Sequence, residues 1–312
     1  VYNQPMLRVS TYGNRWKVYR NHINPDFGKV KFKDVRPEHL QKFFNEKAVN
    51  RDNIKLIFNG AFEKAIDLGY IQTNPMKKTE VPKKERAEKR ILTVEEQKRA
   101  ERQIHEEMEK LTHNYSIFLL ILYTGLRYGE AAGLQDGDID FEKHELYVRR
   151  TIGQTAKPGK GILFYVHQPK TRAGKRIIPL SGKVEELLKA QLEYRDMLVD
   201  IMSDVWASNG NDLSVAKAGY VFITSMGNVV SQSNARRQLG RVMKAAKIDP
   251  PVFMHGLRHT FATRWVEAGL DIRSLAEILG HTDVKITLNT YTHALPEQQR
   301  KNIDILTDLL SK

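Results

Sequence analysis

Along most of the chain, apolar positions recur every three to four residues, the spacing of helices that bury one face. Val9 through Ile23 follows this spacing, and NPDFG (24–28) interrupts it as a turn. RPEHLQKFFNE resumes it, with Pro37 at a helix start and Leu40, Phe43 and Phe44 on one side. In NIKLIFNGAFEKAIDLGYI the stripe is Ile54, Ile57, Phe58, Ala61, Phe62 and Ala65, and Gly69 supplies a stop. LTVEEQKRAERQI opens a new run, with Thr93 as N-cap and Glu96 completing a reciprocal cap. YSIFLLILYTG (115–125) is apolar on every side and predicts a buried helix. From residue 138 the pattern changes to alternation in IDFEKHELYVRRTI, ILFYVHQPKT and KRIIPL, which predicts a small three-stranded antiparallel sheet. Helical spacing returns after Ser181. The pattern therefore predicts a mainly α chain with a small antiparallel β-sheet, of α+β type in its larger part. A helical domain is expected over 1–76, a connection over 77–92, a second domain over 93–295 and a terminal helix over 296–312.

Charge sharpens this picture. KKTEVPKKERAEKR (77–90) holds seven basic and three acidic residues without apolar periodicity. It reads as a solvated linker, or as a strap lying along a polyanion through Lys77, Lys78, Lys83 and Lys84. The whole chain carries 50 Lys+Arg against 37 Asp+Glu, net +13, which favours an anionic partner, nucleic acid or a membrane surface. No run approaches the roughly 18 apolar residues of a bilayer-spanning helix. There is no cysteine, so disulfides and thiolate metal sites are excluded, a composition that suits a reducing compartment. No signal peptide is visible, and a cytoplasmic location is expected.

Three familiar patterns fail on inspection. DGDID (136–140) begins like a calcium loop, but Phe141 stands where a glycine is needed and Tyr147 where a bidentate glutamate is needed. GQTAKPGKG (153–161) has one residue too many between its glycines for a phosphate loop and lacks Ser or Thr after Lys160. His255 and His259 have the spacing of a zinc helix, yet Gly256 replaces the glutamate base and Arg258 opposes a cation. What remains is a group of cationic and histidine side chains at loop–helix junctions. Arg127 follows Gly125 at the end of the apolar helix. Arg258 lies near the start of a helix expected to bury Leu257, Phe261 and Trp265, and His281 follows Gly280 at another helix end. Backbone donors at helix starts and rigid apolar neighbours suit a preorganised site for an anion.

TGLRYGE (124–130), HGLRHTFATRWVEAG (255–269), LGH (279–281) and TLNTYTH (287–293) together resemble the signature of the tyrosine recombinases, the phage and conjugative-transposon integrase family. The likeness covers 93 to about 295, and STYGNRW through QKFF (10–44) resembles the core-site-binding domain of mobile-element integrases. The resemblance implies a site-specific recombinase that cuts and rejoins DNA through a covalent 3′-phosphotyrosine, for integration and excision of a mobile element. Chromosome-dimer resolution, a type IB topoisomerase-like activity and a non-catalytic DNA-binding regulator are the alternatives. It implies Arg127 and Arg258 as phosphate clamps, with Glu130 orienting its neighbours. Lys170 is the expected acid for the leaving 5′-oxygen, and Arg172 and Lys175 are its rivals and further DNA contacts. His255 is expected to transfer protons and His281 to donate to a phosphate oxygen; His259 and His293 are expected to play supporting roles. Tyr291, the sole tyrosine after Tyr220, is the expected nucleophile.

Neither metal nor ATP is required by such chemistry, so no cofactor is expected. The partners implied are double-stranded DNA (element ends and target site), further copies of the chain in dimers and tetramers, and accessory DNA-bending or excision factors. A bacterial nucleoid location and no membrane association follow. The apolar stripe of 296–312 (Ile303, Leu306, Leu310) is expected to dock on a neighbouring protomer, and an arm-type DNA-binding domain is expected upstream of Val1.

Overall fold

The computed structural model describes residues 9–47, 49–82, 90–110, 113–157, 161–167, 174–209 and 214–291, with Ile303 and Thr307. Lys83, Lys84, Lys170, Arg172 and His293 lie outside the described residues, as does most of 296–312. The chain divides into two units, residues 1–88 with 154–164, and residues 89–153 with 165–312.

In the first unit, α1 (Val9–Val18) runs through a π turn (Tyr19–Ile23) into α2 (Asn24–Phe27). The turn expected at NPDFG is instead helical, because Pro25 sits in the first turn of a helix, where its missing N–H costs nothing. α3 (Pro37–Glu46) and α4 (Arg51–Asp67) complete the unit with a 3₁₀ turn at Pro75–Lys78. Leu40, Phe43, Phe44, Ile54, Phe58 and Phe62 are buried together, as their spacing predicts. Phe27 meets the edges of Phe43 and Phe58 at 5.2 Å, a geometry aromatic quadrupoles favour. Gly69 takes the left-handed conformation (φ 73°) just after α4. Met76 joins this core and Val81 packs against it, so the start of the basic segment is folded onto the unit.

The second unit begins with α5 (Val94–Glu109), capped reciprocally by Thr93 and Glu96 at 3.2 and 2.9 Å. α6 (Ser116–Thr124) is buried along its length except at Tyr123, as an all-apolar helix must be. A short α7 (Tyr128–Ala131) precedes five strands in the chain, β1 (Ile139–Asp140), β2 (Glu145–Val148), β3 (Thr151–Lys157), β4 (Gly161–His167) and β5 (Arg176–Pro179), of which β3 and β4 fall mostly in the 154–164 segment grouped with the first unit. The strands expected in one sheet divide between two. β1, β2 and β5 form an antiparallel three-stranded sheet with Val148 opposite Arg176, while β3 and β4 pair separately. IDFEKHELYVRRTI thus supplies two strands and the start of a third, not one.

The helices α8 (Gly182–Ser208), α9 (Ser214–Lys217), α10 (Gln232–Ala245), α11 (Met254–Glu267), α12 (Ile272–Leu279) and α13 (Val284–Tyr291) follow. Leu257 enters the main core; Phe261 and Trp265 are only partly buried, beside a smaller cluster of Ala262, Val266, Leu275 and Leu279. Among the described residues no helix is long and apolar enough to cross a membrane.

Candidate active site

Gly125 is where the site begins. It ends α6 with φ 67°, a left-handed conformation that costs an L-residue about 1–2 kcal/mol. A Cβ here would also stand 2.6 Å from the Phe261 ring and 2.9 Å from Leu279, so the position demands glycine twice over. Two residues later Arg127 is the N-cap of α7. Its backbone N–H donates to Glu130 Oε2 at 2.8 Å and its Nη1 to Oε1 at 2.8 Å. The Arg127 side chain stays 42% exposed, whereas Glu130 is buried. Gly129 lets this turn approach β3, since a Cβ would lie 2.5 Å from the Ile152 carbonyl.

Arg258, on the first turns of α11, is only 3% exposed. Two helix ends explain why a guanidinium tolerates this burial. The last carbonyls of a helix lack intrahelical partners and sit at the negative end of its dipole. Arg258 Nη1 donates to the carbonyl of Gly125 at the end of α6, and Nη2 to that of Leu279 at the end of α12, each at 2.7 Å. The same Nη2 lies 3.2 Å from Nε2 of His281. His281 follows the left-handed Gly280 (φ 64°), and its N–H closes back on the Ala276 carbonyl. Because arginine only donates, Nε2 accepts here, which assigns the ring proton to Nδ1, facing Thr287 Oγ1 at 2.7 Å. Thr287 is fully buried on α13, one turn before Tyr291. Tyr291 ends that helix. His255 is exposed in the first turn of α11, its ring edge-to-face with buried His259 at 4.5 Å. Among the described residues no three His, Asp or Glu side chains come together as metal ligands.

Arg127, Glu130, Arg258 and His281 therefore share one connected network, joined through Gly125 and the end of α12. Lys175 is exposed at the start of β5, beside it in sequence. Lys77 and Lys78 are exposed in the other unit, where Lys77 lies 3.9 Å from Glu63.

Two members of the network escape a motif-based reading. Arg176 on β5 donates Nη1 and Nη2 to the two oxygens of Glu130 at 3.1 and 2.9 Å, and Nε to the Ile278 carbonyl. Burial alone raises the Glu130 carboxyl, but the Arg176 hydrogen bonds and charge, and then Arg127, outweigh it and hold the group at about 2. A signal was available: in RIIP, Arg176 shares its strand face with buried Ile178, so a charge had to be satisfied indoors. Thr287, the second, carries no sequence mark beyond being polar one turn before the tyrosine.

A model of the phage integrase family matches residues 91–298, and one of the phage integrase N-terminal SAM-like domain matches residues 2–48. A tyrosine recombinase XerC-like protein of Caldanaerobacter subterraneus subsp. tengcongensis is 33% identical over 312 residues, covering 93% of this chain and 76% of that protein. The transposase from transposon Tn916 of Enterococcus faecalis is 33% identical over 190 residues, covering 58% of this chain and 42% of the transposase. In fold, the chain resembles the Tn1549 transposon integrase in complex with a circular intermediate DNA, with TM-score 0.72 and 23% identity over 96% of this chain and 94% of that one. It also resembles a lambda integrase dimer bound to a core site, with TM-score 0.61 and 18% identity over 93% and 73%.

Proposed function

The chain belongs to the phage integrase family, the tyrosine recombinases, and from that premise we propose that Tyr291 cuts DNA at the ends of a mobile element for integration and excision. The Tyr291 phenol oxygen attacks the phosphorus and the bond to the 5′-oxygen breaks. A 3′-phosphotyrosine forms, and its energy is kept for rejoining by the reverse attack of a 5′-hydroxyl. His255 takes the phenol proton and Lys170 supplies one to the leaving 5′-oxygen. Arg127 and Arg258 hold the non-bridging oxygens as charge builds on them in the pentacoordinate transition state.

The observation that carries this reading is the buried arginine held between two helix ends beside His281, a cation fixed before any anion arrives. A Thr hydroxyl can donate as well as accept, so Thr287 can also donate a hydrogen bond to an unprotonated Nδ1. In that tautomer the ring proton sits on His281 Nε2, which gives up its acceptor contact with Arg258 and donates to a phosphate oxygen. In this reading the lysines of the basic run 77–90 (Lys77, Lys78, Lys83 and Lys84) meet phosphates along a duplex, and Arg172 and Lys175, near Lys170 in sequence, meet it beside the cleaved bond. Dimers and tetramers on DNA, accessory DNA-bending or excision factors and a cytoplasmic, nucleoid-associated location complete the proposal, with residues 296–312 passing to a neighbouring protomer.

The test is a nicked suicide duplex bearing candidate element ends. The chain is expected to become covalently attached to a 3′-phosphate, and Tyr291→Phe to bind the duplex with no adduct; an adduct in that variant puts the nucleophile elsewhere. The XerC-like relative favours a second reading, a recombinase resolving chromosome dimers, which attachment at a chromosomal site instead of element ends would establish.

A further inference from the structure

Glu130 and Arg176 form an ion pair away from solvent, with side chains 7% and 6% exposed. A pair so placed gains little net stability over an apolar one, because both charges lose their hydration. Its geometry says more than its energy. The Glu130 carboxylate accepts four hydrogen bonds, two from the backbone and guanidinium of Arg127 and two from Arg176. Arg176 gives its remaining edge to the carbonyl of Ile278, next in the chain to the Leu279 carbonyl that anchors Arg258. The end of α12 is therefore gripped by two guanidiniums on consecutive carbonyls, one from β5 and one from α11.

We infer that Arg176 is a positioning residue of the cleavage site: by holding Glu130 and the Ile278 carbonyl at once, it sets Arg127 in register with the helix end that carries Arg258's anchor and His281. The inference rests on the proposed roles of Arg127, Arg258 and Tyr291. Without Arg176, the buried carboxylate keeps a single charged partner. It then draws the Arg127 guanidinium inward, away from the solvent-facing place where a phosphate can reach it, or it takes up a proton. The charged groups facing Glu130 are Arg176 from β5 and Arg127 from its own turn. Removing the first raises the carboxyl's affinity for protons, so the acidic limb of the cleavage rate moves to higher pH.

The experiment compares the full chain with Arg176→Lys, Arg176→Met, Glu130→Gln and Arg176→Met/Glu130→Gln on the suicide duplex, measuring DNA affinity, single-turnover adduct rate, its pH profile and thermal midpoint. Arg176→Lys keeps a charge but cannot span two oxygens and a carbonyl. It is expected to bind DNA within about threefold of the parent and to form adduct about 100-fold more slowly, the scale of a misplaced catalytic group. Its acidic limb should move up in pH. Glu130→Gln in the Arg176→Met background should recover part of that variant's loss, because a neutral amide pulls less on Arg127. Parent-like rates overturn the inference, and so do slower rates with an unmoved acidic limb and strictly additive losses, which indicate packing alone. If the single variants do not fold, the double variant decides, since it removes both charges of the buried pair: slow cleavage with retained affinity supports the inference and parent-like cleavage overturns it. Absence of adduct from the parent overturns the functional reading and this inference together, whereas a reactive parent with indifferent Arg176 variants overturns this inference alone.

Discussion

At Gly125 one residue serves conformation, packing and chemistry together. Its positive φ ends α6, its missing Cβ admits Phe261 and Leu279, and its carbonyl receives Arg258. Gly125→Ala should destabilise the chain by about 2 kcal/mol or more in chemical denaturation, from the left-handed strain and the overpacking combined. Its adduct rate should fall further than lost stability explains, because the Arg258 anchor moves with the turn. Unchanged denaturation would refute this account. The arginine motif pointed to the position, but its meaning did not lie in the motif. Sequence shows a glycine before an arginine; which ring and which carbonyl meet there depends on α11 and α12, more than a hundred residues away. Arg176 was missed for a related reason. A run of basic residues at 170–176 reads as a solvated hairpin, and only the inward face of β5 separates one arginine from the others.

The element that matters most is α13, which carries the proposed nucleophile. One of its ties to the site is the contact of Thr287 with His281. Thr287→Val keeps shape and removes the hydroxyl, so the imidazole loses the hydrogen bond at Nδ1. Adduct formation should slow roughly tenfold, equivalent to about 1.4 kcal/mol, the size of one net hydrogen bond, with DNA affinity unchanged. A Val variant that reacts at the parent rate would show that the tyrosine's helix is held by other means. Helices were the most legible part of the sequence: the Thr93–Glu96 cap, the buried α6 and the stops at Gly69, Gly125 and Gly280 all follow local chemistry. Strands were less legible. Alternation marks a residue's face but not its neighbour, so β5 turns out to pair with β2 while β4 pairs with β3.

For the molecule as a whole, net charge governs the encounter with a polyanion. Affinity for duplex DNA should fall steeply with salt, with a log–log slope of about −0.9 for each phosphate neutralised. Fluorescence anisotropy titrations between low and moderate salt measure it, and a flat response would argue against binding through a basic surface. Lys77→Ala and Lys78→Ala should each reduce the slope by about one unit if they meet phosphates, leaving sequence preference untouched.

The anchoring of Arg258 bears on how such a protein decays. An arginine that closes the ends of two helices is kept by folding even when nothing selects for cleavage, whereas Arg127, partly exposed and paired only with Glu130 of its own turn among the described contacts, closes no helix end. In a lineage that stops cutting DNA but still needs a folded binder, Arg127 and the tyrosine should erode first and Arg258 last. An intact arginine at 258 is then a mark of ancestry and of fold, and, with the roles proposed above, the residue at 127 is the better witness to living activity.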